Sequence, residues 1–299
     1  VRVLVRRTSN LRFVPAGRVE TVTADVRDPD SLRTLVDGIR DVYHFGGLTR
    51  ARSSEAYFRV NCEGTARLAS VWLEQNHDAR RFVFISSLAA SGPAPDAAHP
   101  RLETDRPAPL SAYGKSKLAA ETYLTETIAG RVQVLMLRPP AVYGPRDEAT
   151  LTLFRWIRRG ILPLPGPRVG RLSLAYGPEL ARAAYELAES GASGVYHISD
   201  GEYYSWEEVG VAIADVLGRQ VRQVPVASWV VRFAGELGEW AGRLTGVLPV
   251  INRAKVDDIR QPFWTCSLQK ARNQGFEPHV LMKDGMVRTV RWYRTAGWL

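Results

Sequence analysis

Six short β-rich runs alternate with four helical patterns through the first two-thirds of the chain, and this alternation restricts the fold more than any other feature. The runs are VRVLVR (1–6), RVETVTA (18–24), DVYHF (41–45), RFVFIS (81–86), VQVLML (132–137) and GVYHIS (194–199). Between them lie DPDSLRTLVDG, SEAYFRVNCEGTARLASVWLEQ, SAYGKSKLAAETYLTETIAG and GPELARAAYELAES. Near-continuous apolar strands need cover on both faces, and intervening helices supply it. The pattern therefore predicts an α/β fold with a doubly wound parallel sheet. Ligands of such a sheet sit beyond the carboxyl ends of its strands.

From about residue 200 the pattern changes. SWEEVGVAIADVLG (205–218) predicts an amphipathic helix with Ser205 as N-cap and Gly218 at its end. The aromatic-bearing stretch SWVVRFAGELGEWAGRL (228–244) follows, and MKDGMVRTVRWYRTAGWL (282–299) reads as a closing helix. These pieces predict a mostly helical cap.

Composition narrows the classes of function. A chain of 299 residues, 45% hydrophobic and 24% charged, is an ordinary globular composition with ample core. It holds no apolar run of about 18 residues, so no membrane span is expected. Nor does the N-terminus carry the apolar core of a signal peptide, and the two cysteines, Cys62 and Cys266, make no disulfide framework. Together these predict a cytoplasmic protein. The five histidines are scattered without metal-ligand spacing, so no metal is expected. The net charge of +9 is spread along the chain rather than clustered, which argues against nucleic acid and for small anionic molecules such as phosphorylated cofactors.

The chemistry concentrates in SAYGKSKLAAE (111–121), where Tyr113 precedes Lys117 by one helical turn although only five of the 40 Lys and Arg residues are Lys. Positions i and i+4 share a helix face, and Ser111 can cap the start. A phenol near pKa 10 is a poor base at neutral pH, but an adjacent ammonium favours the phenolate. Such a pair can exchange a proton with a substrate alcohol while hydride leaves or reaches its carbon. The spacing alone is a weak signal; its neighbours strengthen it. FVFISSLAASG ends a strand on Ser86 and Ser87, and a hydroxyl there would hold the substrate oxygen against Tyr113. The bland alternative is a strand-end serine that only caps or turns.

Strand–SS–loop, then YGKSK, then LRPPAVYGP resembles the extended short-chain dehydrogenase/reductase group, the NAD-dependent epimerase/dehydratase family. The resemblance runs along nearly the whole chain. It implies a Rossmann-like sheet over residues 1–165, to which 172–200 return, and a smaller substrate-binding region with a closing helix over 201–299. It implies Ser87, Tyr113 and Lys117 as the catalytic set. Cofactor contacts are implied at Asp25 and Val26 in TADVRDPDSL, at Phe45, Gly46 and Gly47 in VYHFGGLT, and at Asn61 in VNCEGT. Ser86, Tyr113, Lys117, Pro139 and Val142 complete that set. Arg146, Arg171 and Tyr176 are candidate substrate contacts. A homodimer through the helices around 55–76 and 112–129 is implied, with Leu118, Ala119, Tyr123 and Leu124 on their apolar faces.

The family opens on a strand, a glycine-rich turn and a helix, and no such turn occurs near this N-terminus. VRVLVRR resembles the second strand instead. The expectation is that roughly 25–30 residues, about one βαβ unit, are absent from this chain, leaving the neighbours of a central strand with unpaired edges. An incomplete chain and a reduced protein both fit. At the end of that strand Arg6 and Arg7 stand where an acid would bind the ribose of NAD, which predicts a preference for NADP(H) over NAD. The expected function is an NAD(P)-dependent oxidoreductase or epimerase acting on a secondary alcohol or ketone, with a nucleotide sugar among the candidate substrates. The rival is a catalytically idle binding or sensor protein on the same fold.

Overall fold

A computed structural model describes residues 1–165, 170–226 and 261–299; the stretch 228–244, expected to contribute to a helical cap, lies outside the described residues. The first half runs β1 (Arg2–Val5), β2 (Glu20–Thr23), α1 (Pro29–Val36), β3 (Asp41–His44), α2 (Ser54–Tyr57), a π-helical turn (Phe58–Cys62), α3 (Glu63–Gln75), β4 (Arg81–Ile85), α4 (Leu88–Ser91), α5 (Ala112–Thr127) and β5 (Gln133–Arg138). Then follow β6 (Ala141–Tyr143), α6 (Glu148–Arg158), β7 (Ile161–Pro165), β8 (Arg171–Leu172), β9 (Leu174–Tyr176), α7 (Gly177–Glu189) and β10 (Gly194–His197). The remainder is α8 (Trp206–Leu217), β11 (Arg222–Val226), β12 (Phe263–Trp264), α9 (Gln269–Asn273) and α10 (Met282–Thr295).

The main sheet has the order β10-β5-β4-β3, all parallel, with Ile85 beside Leu137 and His197 beside Arg138. Every residue of β4 is buried, as a strand covered on both faces requires. Its side chains alternate. Phe82 and Phe84 join Leu32, Leu68, Trp72 and Leu124 on the side of α1, α3 and α5. Val83 and Ile85 join Leu180, Ala183 and Leu187 of α7 on the other. The fold is thus α/β and doubly wound, as the sequence predicts.

β1 and β2 form a separate parallel pair, with Val5 beside Thr23. Leu4 and Val22 nevertheless pack on the cluster that covers the main sheet, so α1 and α3 hold the two sheets under one helical layer.

The described residues beyond 200 share sheets and a core with earlier elements. β11 pairs with β7 and β12 with β8, while α8 and α10 share one core with α6 through Phe154, Ile157, Ile213, Met286 and Tyr293. The capping signals of α8 are present in full: Ser205 and Glu208 form a reciprocal capping box, and Gly218 closes the helix in the left-handed conformation. Among the described residues no helix is long and apolar enough to cross a membrane, and no group of three or more His, Cys, Asp or Glu could hold a metal.

Candidate active site

The candidate residues meet where β3, β4 and β5 end and α5 passes over them. Ser111 caps α5 by accepting from Gly114 N at 3.2 Å. Gly114 lets the helix approach α4: a Cβ there would lie 2.2 Å from Ala89 O. The next turn brings Lys117 to the end of β4. Its side chain is buried, Nζ donates to Ile85 O at 2.8 Å, and the ammonium sits 4.6 Å from the centre of the Phe84 ring. Burial pulls the Lys117 pKa down to about 8, opposed by the charge of Glu121.

Tyr113 lies one turn earlier on the same face, half-buried, with the Tyr57 ring edge-on to it at 5.9 Å. Ser87 follows β4 in extended conformation and is also half-buried; its hydroxyl caps α4, accepting from Ala89 N at 3.2 Å. The capping role and a role toward substrate are compatible, because a hydroxyl that accepts one bond still has a proton to donate. Ser86 points the other way. It is 3% exposed and its hydroxyl donates a hydrogen bond to Glu121.

The turn after β3 lies directly over Lys117. A Cβ on Gly47 would stand 3.0 Å from Lys117 Nζ, and one on Gly46 would meet the His44 ring at 3.1 Å. Asn61 clamps this turn. Its Oδ1 accepts from Leu48 N at 2.7 Å, while Nδ2 donates to Leu48 O and to Ser116 Oγ, each at 3.0 Å. The amide reaches the loop because Asn61 lies within the π-helical turn between α2 and α3, a local widening that often marks functional positions. On the far side, Pro139 O accepts from Leu88 N at 2.8 Å and joins the loop after β5 to the serine loop. Phe45 and Val142 are exposed at this rim, at 49% and 39%.

A second group lies at the ends of β1 and β2. Arg6 and Arg7 are exposed in the turn after β1. The Asp25 carboxylate takes both Nε and Nη2 of Arg27, at 2.9 and 2.6 Å. That bond, with a smaller contribution from the charge of Arg6, pulls the Asp25 pKa down to about 2. Val26 faces α3, where a Cβ on Gly64 would fall 2.7 Å from its Cγ2.

The candidate substrate contacts do not converge equally. Tyr176 is buried in the core against Tyr143, ring centres 5.6 Å apart. Arg146 is exposed in the left-handed conformation (φ 71°) with its guanidinium 4.8 Å from the Phe13 ring centre. Arg171 donates to its neighbour Gly170 O at 3.2 Å.

Several residues that no sequence signal singled out belong to the site. His44 lies under the glycine turn, bonded through Nε2 to Thr65 Oγ1 at 3.0 Å and stacked on Phe84; burial, then the charge of Lys117, pulls its pKa down to about 3. Glu121 and Arg138 form an ion pair whose side chains are each 4% exposed. Only the i+4 spacing of Lys117 and Glu121 hints at the first of these.

This donor set suits a dinucleotide with ribose hydroxyls and a reactive ring. It offers a buried ammonium with three N–H bonds, two hydroxyl-bearing side chains at the rim, a backbone turn without side chains, and separate charged groups at the strand ends of a second sheet.

Comparison with known proteins agrees. The model of the NAD dependent epimerase/dehydratase family matches residues 1–198. A ceramide reductase of Caulobacter vibrioides is 31% identical over 301 residues, spanning 100% of this chain and 88% of the reductase. A UDP-glucose 4-epimerase of Vibrio cholerae is 31% identical over 202 residues, or 65% of this chain and 61% of the epimerase. Among solved structures, the Thermotoga maritima UDP-glucose 4-epimerase with UDP-glucose gives a TM-score of 0.80 at 20% identity, covering 99% of this chain and 91% of that one, a likeness of fold.

Proposed function

Because the chain belongs to the NAD dependent epimerase/dehydratase family and is an enzyme of that kind, we propose that it reduces a ketone to a secondary alcohol, or the reverse, with Tyr113, Lys117 and Ser87 handling the proton. One observation carries this reading: Lys117 is a buried cation anchored to Ile85 O, one turn from Tyr113 and on the same helix face. A buried ammonium is costly, so its placement beside a phenol needs a reason, and stabilising a phenolate is a sufficient one.

The nicotinamide dinucleotide, when bound, supplies or accepts the hydride. The protein's own part is the proton. In reduction Tyr113 Oη gives its proton to the carbonyl oxygen, Ser87 Oγ donates a hydrogen bond to the same oxygen, and the Lys117 charge stabilises the phenolate that remains. In oxidation the same phenolate takes the alcohol proton. Gly46 and Gly47, held by Asn61, keep the turn over Lys117 free of side chains.

Ketone reduction is favoured over epimerisation because the Caulobacter reductase is similar along 100% of this chain, whereas the Vibrio epimerase matches 65% of it. The epimerase likeness supports a second reading, nucleotide-sugar epimerisation by the same three residues. For the cofactor we favour NADP(H), since Arg6 and Arg7 are exposed at the end of β1 and the turn that carries them, Arg6 to Asn10, contains no acid. Leu118, Ala119 and Tyr123 remain partly exposed on α5 whereas Leu124 is buried; the first three are what a second copy would cover in a homodimer.

The test follows nicotinamide absorbance with ceramide-type ketones, and product formation with UDP-glucose in parallel. Tyr113→Phe is expected to lower kcat by about 10²–10⁴-fold in whichever reaction proceeds. Full turnover in that variant refutes the assignment.

A further inference from the structure

Lys117 and Glu121 stand one turn apart on α5 and grip consecutive residues at the end of β4. Lys117 Nζ donates to Ile85 O at 2.8 Å, and Glu121 accepts a hydrogen bond from Ser86 Oγ. The next residue is Ser87.

The same carboxylate is held from the other side. Arg138, last residue of β5, donates through Nε to Glu121 Oε1 at 2.9 Å, and through Nη1 to Ser91 Oγ at 2.9 Å, at the end of α4. Ser91 Oγ in turn meets His197 Nε2 at 3.0 Å, at the end of β10. One buried carboxylate thus ties α5 to β4 and β5 directly, and to α4 and β10 through Arg138. Buried ion pairs are poor stabilisers compared with apolar side chains of similar volume, so stability alone does not account for one at the centre of the sheet. Fixing geometry does.

We propose that Glu121 is the positioning residue of this site: it holds the strand end that carries Ser87 against the helix that carries Tyr113 and Lys117. The inference deepens the carbonyl chemistry proposed above and rests on it for its kinetic readout. A loose joint here would let Ser87 and Tyr113 drift apart, and both must reach one substrate oxygen.

Glu121 also completes the local charge. Facing Lys117 are His44 from β3, Tyr113 and Glu121 from its own helix, and Arg138 of β5 across the Glu121 carboxylate, with uncharged Asn61 above. Two cations and one carboxylate leave a surplus of one positive charge, the complement of a phenolate on Tyr113. Without Glu121 the two cations would stand together unscreened, and Lys117 would give up its proton more readily.

The experiment uses the full chain labelled with ¹³Cε-lysine; only five lysines contribute signals, and Lys117→Met identifies the relevant one. Glu121→Gln is expected to lower the Lys117 titration midpoint by about one pH unit or more and kcat at least tenfold, with KM within twofold. Glu121→Asp restores the midpoint but not kcat, because its shorter side chain keeps the charge and loses the reach. Ser86→Ala, which spares the carboxylate, lowers kcat about tenfold and leaves the midpoint in place. A folded Glu121→Gln protein with midpoint and kcat unchanged overturns the proposal; should that variant not fold, unchanged kcat in Ser86→Ala overturns it. Full turnover in Tyr113→Phe would refute the carbonyl reading instead; the lysine titration would still show whether Glu121 holds its place beside Lys117, and kcat of Glu121→Gln and Ser86→Ala in whatever reaction proceeds would decide its positioning role.

Discussion

Gly47 and Lys117 are fitted to each other: a Cβ at residue 47 would stand 3.0 Å from Lys117 Nζ and 3.1 Å from Asn61 Oδ1. Neither neighbour can yield freely, since one is anchored to Ile85 O and the other to Leu48. Gly47→Ala is expected to cost about 1–3 kcal/mol of stability, read by urea denaturation. Dinucleotide affinity, read by fluorescence titration, should fall about tenfold or more, because the turn must lift from the ammonium.

Gly114 gives a harder case. In an exposed helix interior, Gly→Ala gains about 1 kcal/mol. Here the added Cβ would lie 2.2 Å from Ala89 O, a backbone atom with no rotamer to change. The sign should reverse, with a loss of about 3 kcal/mol or more for Gly114→Ala and a matching fall in denaturation midpoint.

Lys117→Met should separate stability from activity. The Lys117 pKa falls from 10.5 to about 8 on folding, so keeping the side chain charged in the folded state costs stability below pH 8, and the cost fades as pH rises from about 8 to 10.5. That cost is about 3 kcal/mol, partly offset by the bond to Ile85 O at about 1 kcal/mol. The variant is expected to be inactive yet about 1–2 kcal/mol more stable at pH 7, with the advantage closing toward pH 10.5. Equal stability at pH 7 would contradict this.

Two buried histidines set the acid limit. His44 and His197 each have a pKa lowered to about 3, both chiefly by burial. A depressed pKa contributes stability that is fully present above the unfolded value, 6.5, and is lost as pH falls toward 3. Stability should therefore decline by about 1.4 kcal/mol per pH unit for each histidine between pH 6 and 4, before Asp25 takes up a proton. Denaturation at half-unit intervals reads the slope; a flat profile across that window contradicts it.

The proposed preference for NADP(H) assigns the 2′-phosphate to Arg6 and Arg7. A charge-assisted bond to a 2′-phosphate is worth about 1.5–3 kcal/mol, so replacing both arginines by Ala should lower kcat/KM with NADPH about 10–100-fold. The value with NADH should stay within twofold. Equal losses with both cofactors would move these arginines out of that role.

What was legible in the sequence was what is encoded locally. Ser205, Glu208 and Gly218 mark both ends of α8 within a single segment, and the apolar run RFVFIS marks a strand buried on both faces. Tyr113 and Lys117 share a face by spacing alone. The Glu121 node was not legible, because Ser86 and Arg138 come to one carboxylate only through the pairing of β4 with β5, which no local pattern states. The parallel pairs β6–β9, β7–β11 and β8–β12 were missed for a related reason. β6, β8, β9 and β12 are only two or three residues long, β7 and β11 contain prolines, and the partners lie far apart in the chain. Ser86 and Ser87 show what the pleat adds: the resemblance implies different roles for the two, and the structure turns the Ser86 hydroxyl inward to Glu121, a partner no local pattern states.

The π-helical turn at Phe58–Cys62 bears on how this site can vary by descent. Such a turn amounts to one extra residue accommodated within a helix, and each residue of a helix turns it by about 100°. Removing a single codon, that of Val60 for instance, would let α2 and α3 fuse into a regular helix and swing the Asn61 amide away from Leu48 and Ser116, although every clamping residue would still be present. The hold on the glycine turn is thus inherited as a matter of segment length, and an insertion or deletion there can silence it where no substitution has occurred.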